Sequence, residues 1–293
     1  MTQYIGRFAP SPTGLLHIGS LIGALASYLD AKANQGKWLL RMEDLDPPRE
    51  VPGAADAILK SLEQHGLCWD DAVLWQSQRH EAYQHVIEQL HSNGHIFYCS
   101  CSRSNLKANK GIYPGRCRHQ TQPPANQTAT RLIVADDPIG FDDAIQGHCS
   151  QQLKQEVGDV ILQRKDGLFA YQLAVVVDDE FQQVNHIVRG SDLLDSTPRQ
   201  IWLQQLLGYH TPAYAHFPVI TNDKGQKLSK QTFAKPLGDN SCANLLSALR
   251  FLQQPLPPSE QSQKPQDILH WATTHWALDN IAKTMQITEQ HAE

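Results

Sequence analysis

Between Tyr4 and Gly36 the chain carries the pattern that most limits its fold: a short apolar run, a turn rich in proline and glycine, and a helix. Tyr4 to Phe8 reads as a strand and Pro10-Ser-Pro-Thr-Gly-Leu-Leu-His-Ile-Gly-Ser20 as a tight turn. Ile18, Leu21, Ile22, Leu25 and Leu29 then follow helical spacing, so a helix is expected over Ile18 to Gln35, ended by Gly36. A loop that delivers His17, Ile18 and Gly19 to a helix N-terminus presents backbone N–H groups to phosphate, and Gly19 leaves the backbone bare where a nucleotide base would lie. Far downstream, Asn222-Asp-Lys-Gly225 signals a turn just ahead of Lys227-Leu-Ser-Lys-Gln231. A lysine on such a loop can close over a triphosphate and neutralise charge at the α-phosphorus.

The alternation continues. Trp38 to Met42 reads as a second strand, Ala54 to His65 as a helix closed by Gly66, and Arg79 to Ser92 as a helix with Gly94 beyond it. From His95 the pattern breaks into a turn-rich stretch holding cysteine and proline, and Lys165-Asp-Gly167 signals a hairpin between Asp159–Arg164 and Leu168–Val177. His186 to Arg189 resumes the sheet, Thr197-Pro198 opens a helix that Gly208 stops, and Phe217 to Thr221 is expected as the last strand. Pro255-Leu-Pro-Pro258 and the polar stretch to Pro265 read as a linker before a helical pattern from Ile268 to Met285. Strand–helix alternation of this kind implies an α/β fold, a doubly wound parallel sheet with its ligand at the carboxyl ends of the strands.

The two glycine- and lysine-bearing segments, in this order, resemble the HIGH and KMSKS signatures of class I aminoacyl-tRNA synthetases. Phe8-Ala-Pro-Ser-Pro-Thr-Gly14 and Arg41-Met-Glu-Asp-Leu-Asp-Pro-Pro-Arg49 narrow the resemblance to the glutamate branch. Gly167 to Asp179 and Ile187-Val-Arg-Gly-Ser-Asp-Leu-Leu194 extend it over about residues 4 to 235. The first signature ends in Ser20, and the second has Leu228 and Gln231 where the pattern has methionine and serine, which leaves Lys230 with the firm role. The resemblance implies a Rossmann-type catalytic domain with a small zinc-containing insertion and no anticodon-binding domain. It divides the chain into 1–94 and 186–245 as the two catalytic halves, 95–185 as the insertion and 246–293 as a short helical segment.

It also implies a site. Arg7 and Arg189 would grip the side-chain carboxylate of L-glutamate; Glu43 would take the α-ammonium, helped by Ser11 and the backbone near Ala9; Tyr171 would bond the amino acid and wall the pocket. His17, Gly19 and Lys230 would bind ATP, brought with Mg²⁺, and His17 and Lys230 would stabilise the charge of adenylate formation. The chemistry fits, because guanidinium matches carboxylate in two-pronged geometry and a neutral glutamine amide would lose that complement. Arg7 and Glu43 pairing with each other is the bland alternative. Asp44 and Asp46 read as capping or locally paired residues.

The short glutamyl-queuosine tRNA(Asp) synthetase paralogues are the branch resembled most closely. They activate glutamate without tRNA and transfer it to the queuosine base in the tRNA(Asp) anticodon arm. A truncated glutamyl-tRNA synthetase charging a 3′ end and a catalytically idle RNA-binding paralogue are the alternatives. Composition permits all three: 41% hydrophobic and 19% charged residues describe a globular enzyme, and a net charge of −5 argues against broad nonspecific nucleic-acid binding. A basic cluster, Arg103, Lys107, Lys110, Arg116, Arg118 and His119, could still hold RNA. No apolar stretch of membrane-spanning length and no signal pattern occur, so a cytoplasmic, monomeric enzyme is expected.

Without a secretion signal, a disulfide framework is not expected of the cysteines. Cys99-Ser-Cys101 and Cys117 fall within 19 residues of turn-rich chain, which suggests a structural zinc site. The paralogue pattern, a tyrosine four residues before the last cysteine, makes Tyr113 the fourth ligand, with His119 its rival. Cys68, Cys149 and Cys242 read as packing residues.

Overall fold

The computed structural model describes residues 3–102, 112–124, 127–222 and 236–288. Strand β1 (Ile5–Phe8) leads through the Pro/Gly turn into α1 (Ile18–Ala33) and back to β2 (Lys37–Met42), which pairs parallel to β1. Gly36 is required where the chain turns back, since a Cβ there would collide with the Tyr4 carbonyl. Helix α2 (Ala54–Gln64) then crosses to a short β3 (Leu74–Trp75), parallel to β2, and α3 (His80–Ser92) follows.

The middle of the chain builds a separate antiparallel sheet from β4 (Ile96–Cys99), β5 (Ala129–Leu132) and β8 (Val160–Gln163). Between them β6 (Ile139–Asp143) and β7 (Gly147–Gln151) form a hairpin, and α4 (Leu153–Glu156) is a single turn. After α5 (Tyr171–Phe181) the parallel sheet resumes with β9 (His186–Gly190), α6 (Thr197–Leu207), stopped by Gly208 at φ +70°, and β10 (Ala213–Phe217). β10 pairs parallel to β9 and, on its other edge, to β6. Asn185 stitches the halves together: its N–H donates to the Ile5 carbonyl at 3.0 Å, and its side-chain oxygen accepts the Ile5 N–H at 2.8 Å. The α/β fold with parallel strand pairing expected from the alternation is therefore present. Among the described residues no helix is long and apolar enough to cross a membrane.

Three expectations need correction. Leu168 to Val177 is not a strand. The hairpin closes through Arg164 N–H to Leu168 O and Ala170 N–H to Leu162 O, both 2.8 Å, and the chain then turns into α5 at Tyr171. A short apolar run with three valines cannot be told from a buried helix by periodicity; here Leu173 to Val177 are buried nearly all round, and packing overrides the β-preference of valine. Phe217 to Thr221 is likewise not one last strand. Pro218, which has no N–H, divides β10 from β11 (Val219–Thr221), and β11 pairs with β12 (Gln286–Thr288).

The third correction is at the C-terminal end. An unanticipated α7 (Ser241–Phe251) runs through the expected boundary at 245/246, and α8 (Pro265–Thr274) stops well short of Met285. Tertiary bonds take the chain off the helical path. Trp276 Nε1–H donates to Asp30 on α1 at 2.9 Å, and Gln254 binds both backbone groups of Ala277 at 3.1 Å. Both helices bury their apolar faces in the core shared by α1, α2 and β2.

Candidate active site

The carboxyl ends of β1, β2, β9 and β10 open on one cavity of about 640 Å³. Arg7, Ala9, Ser11 and Glu43 line it from the first half of the sheet. His17 and Gly19 line it from the start of α1, and Tyr171 and Arg189 from α5 and β9. These are all the glutamate- and ATP-site residues picked from the sequence except Lys230, which lies outside the described residues with the rest of Lys227–Gln231. The flanks of that segment are at the site: Ile220 lines the cavity, and Pro236 forms a bridge with His17.

Arg7 is buried at the end of β1. Its Nε donates to Asp179 Oδ1 at 3.2 Å, while neither Nη has a protein partner among the described residues, so the open end of the guanidinium faces the cavity. Asp179 also receives Nη2 of the fully buried Arg41 at 2.7 Å, and the two guanidiniums hold its carboxyl below the usual range against the effect of burial. Arg7 thus pairs with Asp179 and not with Glu43. Glu43 is different: its backbone N–H is bound to Pro10 O at 2.9 Å, but its carboxylate has no hydrogen-bond partner among the described residues. Burial, only partly offset by Arg41 and Arg7, pushes the Glu43 carboxyl up to about 7. An unpartnered carboxylate walling a cavity is set up to receive a cation.

Arg189 is held on nearly every side. Its Nε donates to His216 Nε2 at 3.0 Å, and its Nη2 to Thr197 Oγ1 at 2.9 Å and Gln200 Oε1 at 2.8 Å. Nη1 stays toward the cavity, 3.4 Å from the Tyr171 hydroxyl, whose pKa burial raises. At the other end of the cavity His17 is the N-cap of α1 and accepts the Ser20 N–H on Nδ1 at 3.3 Å. Ile18 and Gly19 have no preceding helical turn to take their N–H groups, which is the arrangement that binds phosphate. One end of the cavity therefore suits an acidic amino acid and the other a polyphosphate.

Asp44 and Asp46 do pair locally: Asp44 accepts Ser77 Oγ–H at 2.6 Å, and Asp46 accepts Arg49 at 2.6 Å and Arg164 at 3.3 Å. The Asp143 and His216 side chains beside Arg189 carry no sequence signature, whereas Asp179, between Arg7 and Arg41, closes the Gly167–Asp179 motif as an acid at the end of an apolar run.

Cys99, Cys101 and Cys117 converge, with their Sγ atoms within 4.8 Å of one another, and among the described residues no histidine joins the group. The buried Tyr113 phenol accepts the Cys117 N–H at 2.9 Å and stands within bonding reach of the Cys99 and Cys117 thiols, whereas His119 is exposed. Three soft sulfur donors and a phenol in one pocket fit a tetrahedral zinc ion. Arg103, Lys107 and Lys110 of the basic cluster lie outside the described residues. Arg118 is engaged two-pronged by Asp159 at 2.7 and 2.8 Å and is not free for RNA. Cys68 is exposed and not a packing residue, because Leu67 takes the buried position after Gly66.

Fold and cavity are those of a class I synthetase catalytic domain. The chain belongs to the family described as tRNA synthetases class I (E and Q), catalytic domain, whose model matches residues 4–237, and it is an enzyme of the ligase type. It is similar to the glutamyl-Q tRNA(Asp) synthetase of Pseudomonas entomophila (strain L48), 52% identical over 289 residues, covering 98% of each chain. The glutamyl-Q tRNA(Asp) synthetase of Neisseria meningitidis serogroup C (strain 053442) is 52% identical over 291 residues, covering 96% of this chain and 98% of its own. A glutamate tRNA ligase from Elizabethkingia meningosepticum CCUG26117, solved in complex with its amino acid, shares the fold with a TM-score of 0.80 at 24% identity, covering 99% of this chain and 68% of its own.

Proposed function

We propose that this enzyme activates L-glutamate with ATP, without tRNA, and transfers the glutamyl group to the queuosine base at the wobble position of tRNA(Asp). The observation that carries the first half is the cavity itself: Arg7 with two open Nη atoms, Nη1 of Arg189 held toward the cavity beside the Tyr171 hydroxyl, and the unpartnered carboxylate of Glu43. Arg7, Arg189 and the Tyr171 hydroxyl take the side-chain carboxylate; Glu43, with Ser11 and the backbone at Ala9, takes the α-ammonium. The α-carboxylate then attacks the α-phosphorus of ATP, the bond to the β-phosphate oxygen breaks, and pyrophosphate leaves. The substrate supplies its own nucleophile, so the protein contributes position and charge: His17, the α1 N-terminus at Gly19, and Lys230. Mg²⁺ accompanies ATP. In the second step a cyclopentenediol hydroxyl of the base attacks the adenylate carbonyl and AMP leaves.

The acceptor is supported by the names of relatives about half identical over nearly the whole chain. Labelled glutamate, ATP and total tRNA from cells with and without queuosine decide it. Label only in the queuosine-containing pool is expected. Equal label in both pools would mean 3′-end charging, and no label in either would leave a protein that does not transfer glutamate.

We also propose one structural zinc per chain on Cys99, Cys101, Tyr113 and Cys117. The ion would cross-link the insertion and supply no reaction step. Cys101→Ser is expected to lose bound zinc, read by metal analysis, and to lower Tm by roughly 5–10 °C, with KM for glutamate unchanged. Full zinc occupancy in that variant would remove Cys101 from the set.

A further inference from the structure

We infer that Asp143 and His216 form a positioning dyad that fixes the hydrogen-bonding face of Arg189 by dictating which nitrogen of His216 carries the proton. This rests on the glutamate site described above and extends it to residues that line no part of the cavity.

His216 is fully buried on β10, between Arg189 on β9 and Asp143 at the end of β6. Its Nδ1 lies 2.5 Å from Asp143 Oδ2, and its Nε2 lies 3.0 Å from Arg189 Nε. Arg189 Nε carries a hydrogen and can only donate, so His216 Nε2 must be a bare acceptor. The ring is then neutral with its one proton on Nδ1, given to Asp143. Burial and the positive charges of Arg189 and Arg7 hold His216 below its ordinary pKa against the pull of Asp143, whose own carboxyl is held low, consistent with a neutral ring against an ionised acid.

Asp143 itself cannot turn. Its Oδ1 accepts three backbone N–H groups, from Ile145 at 3.0 Å, Gln146 at 2.9 Å and His216 at 3.1 Å. In Asp143→Asn those three donors keep the amide oxygen at the Oδ1 position and leave the amide NH₂ facing His216 Nδ1. The ring must then accept on Nδ1 and carry its proton on Nε2. That N–H meets the Nε–H of Arg189, a donor against a donor, and finds its alternative acceptor in Thr197 Oγ1, 3.3 Å away. The substitution changes almost no volume and preserves the backbone contacts, yet it breaks the bond that sets the guanidinium plane; the same tautomer logic governs the aspartate of serine-protease triads. Arg189 holds substrate equally in ground and transition states, so the loss falls on KM.

The test combines glutamate-dependent pyrophosphate exchange with ¹⁵N NMR of the histidine ring. Wild type is expected to show His216 protonated on Nδ1. Asp143→Asn should move the proton to Nε2 and raise KM for glutamate by about tenfold, with KM for ATP and kcat little changed. His216→Gln, whose amide offers an oxygen to Arg189 and an N–H to Asp143, should keep KM for glutamate within about threefold of wild type. An Nε2 proton or a doubly protonated ring in the wild type overturns the dyad. So does a shifted tautomer, or a lowered Tm, with KM unchanged. No exchange with glutamate by the wild type would instead overturn the substrate reading, while the ring spectrum would still decide the proton's place.

Discussion

Arg7→Ala is expected to lower kcat/KM for glutamate in pyrophosphate exchange by about 10²–10³-fold while the protein stays folded. Truncating one partner of a buried charge pair costs about 2–5 kcal/mol, and each 1.4 kcal/mol is a factor of ten. The fold survives because Asp179, the internal partner of Arg7, keeps Arg41 at 2.7 Å and is not left as a bare buried charge. Arg189→Ala would be a less clean experiment, since it strips partners from Thr197, Gln200 and His216 together. Arg7→Lys should not rescue, because an ammonium cannot reproduce two parallel N–H bonds from a fixed plane. Exchange kinetics beside a melting curve check this; a near-normal kcat/KM with unchanged Tm would remove Arg7 from the glutamate site.

The other large effect is expected at Glu43. Glu43→Gln keeps the shape but removes the charge proposed to receive the α-ammonium, and a loss of about 10²–10³ in kcat/KM is expected from the same desolvated-pair magnitude. The residue also predicts a pH signature. In the empty protein its carboxyl is raised to about 7, so near neutrality it is partly protonated. A bound ammonium favours the carboxylate and draws that pKa down, so glutamate binding releases a proton. Affinity should therefore fall as pH drops below about 7, by up to tenfold per unit, and level off above it. For the free protein the sign is opposite. A carboxyl raised above its ordinary value of 4.5 binds its proton more firmly when folded, so stability declines as pH rises from there to about 7. Titration calorimetry in buffers of different ionisation enthalpy measures the proton count. Wild type should release protons at pH 7 and Glu43→Gln none; equal release from both would assign the linkage elsewhere.

Much of this molecule was legible in its sequence because the informative features are local. The turn at Pro10–Gly14, the helix stripe from Ile18 to Leu29 and the stops at Gly66 and Gly208 are decided within a few residues by backbone conformation and apolar spacing. The cavity residues were legible for another reason: they sit in short runs that resemble the motifs of a known family, and the strand ends and helix N-terminus that carry those runs open on one cavity. Misreadings came where local preference is nearly neutral. The Leu168–Val177 run suits strand or buried helix alike, and its place over α3 decided for helix, with Asp178 accepting Gln76, Arg79 and Tyr83. The stretch after Thr274 was drawn off its helical pattern by Asp30 and Gln254, partners far away in sequence.

What the sequence by itself determined is the α/β class, the opening strand–helix–strand unit and the three-cysteine cluster, while the resemblance carried by its short motifs picked out the charged residues at the strand ends. What only the tertiary structure decided is how those charges are paired. Arg7 takes Asp179, Arg41 shares it, Glu43 is left open, and Asp143 orients His216 against Arg189. Those contacts join residues from 27 to 172 positions apart. A hydrogen bond acts over about 3 Å and its sign depends on which atom carries the proton, so nothing in a linear spacing encodes it.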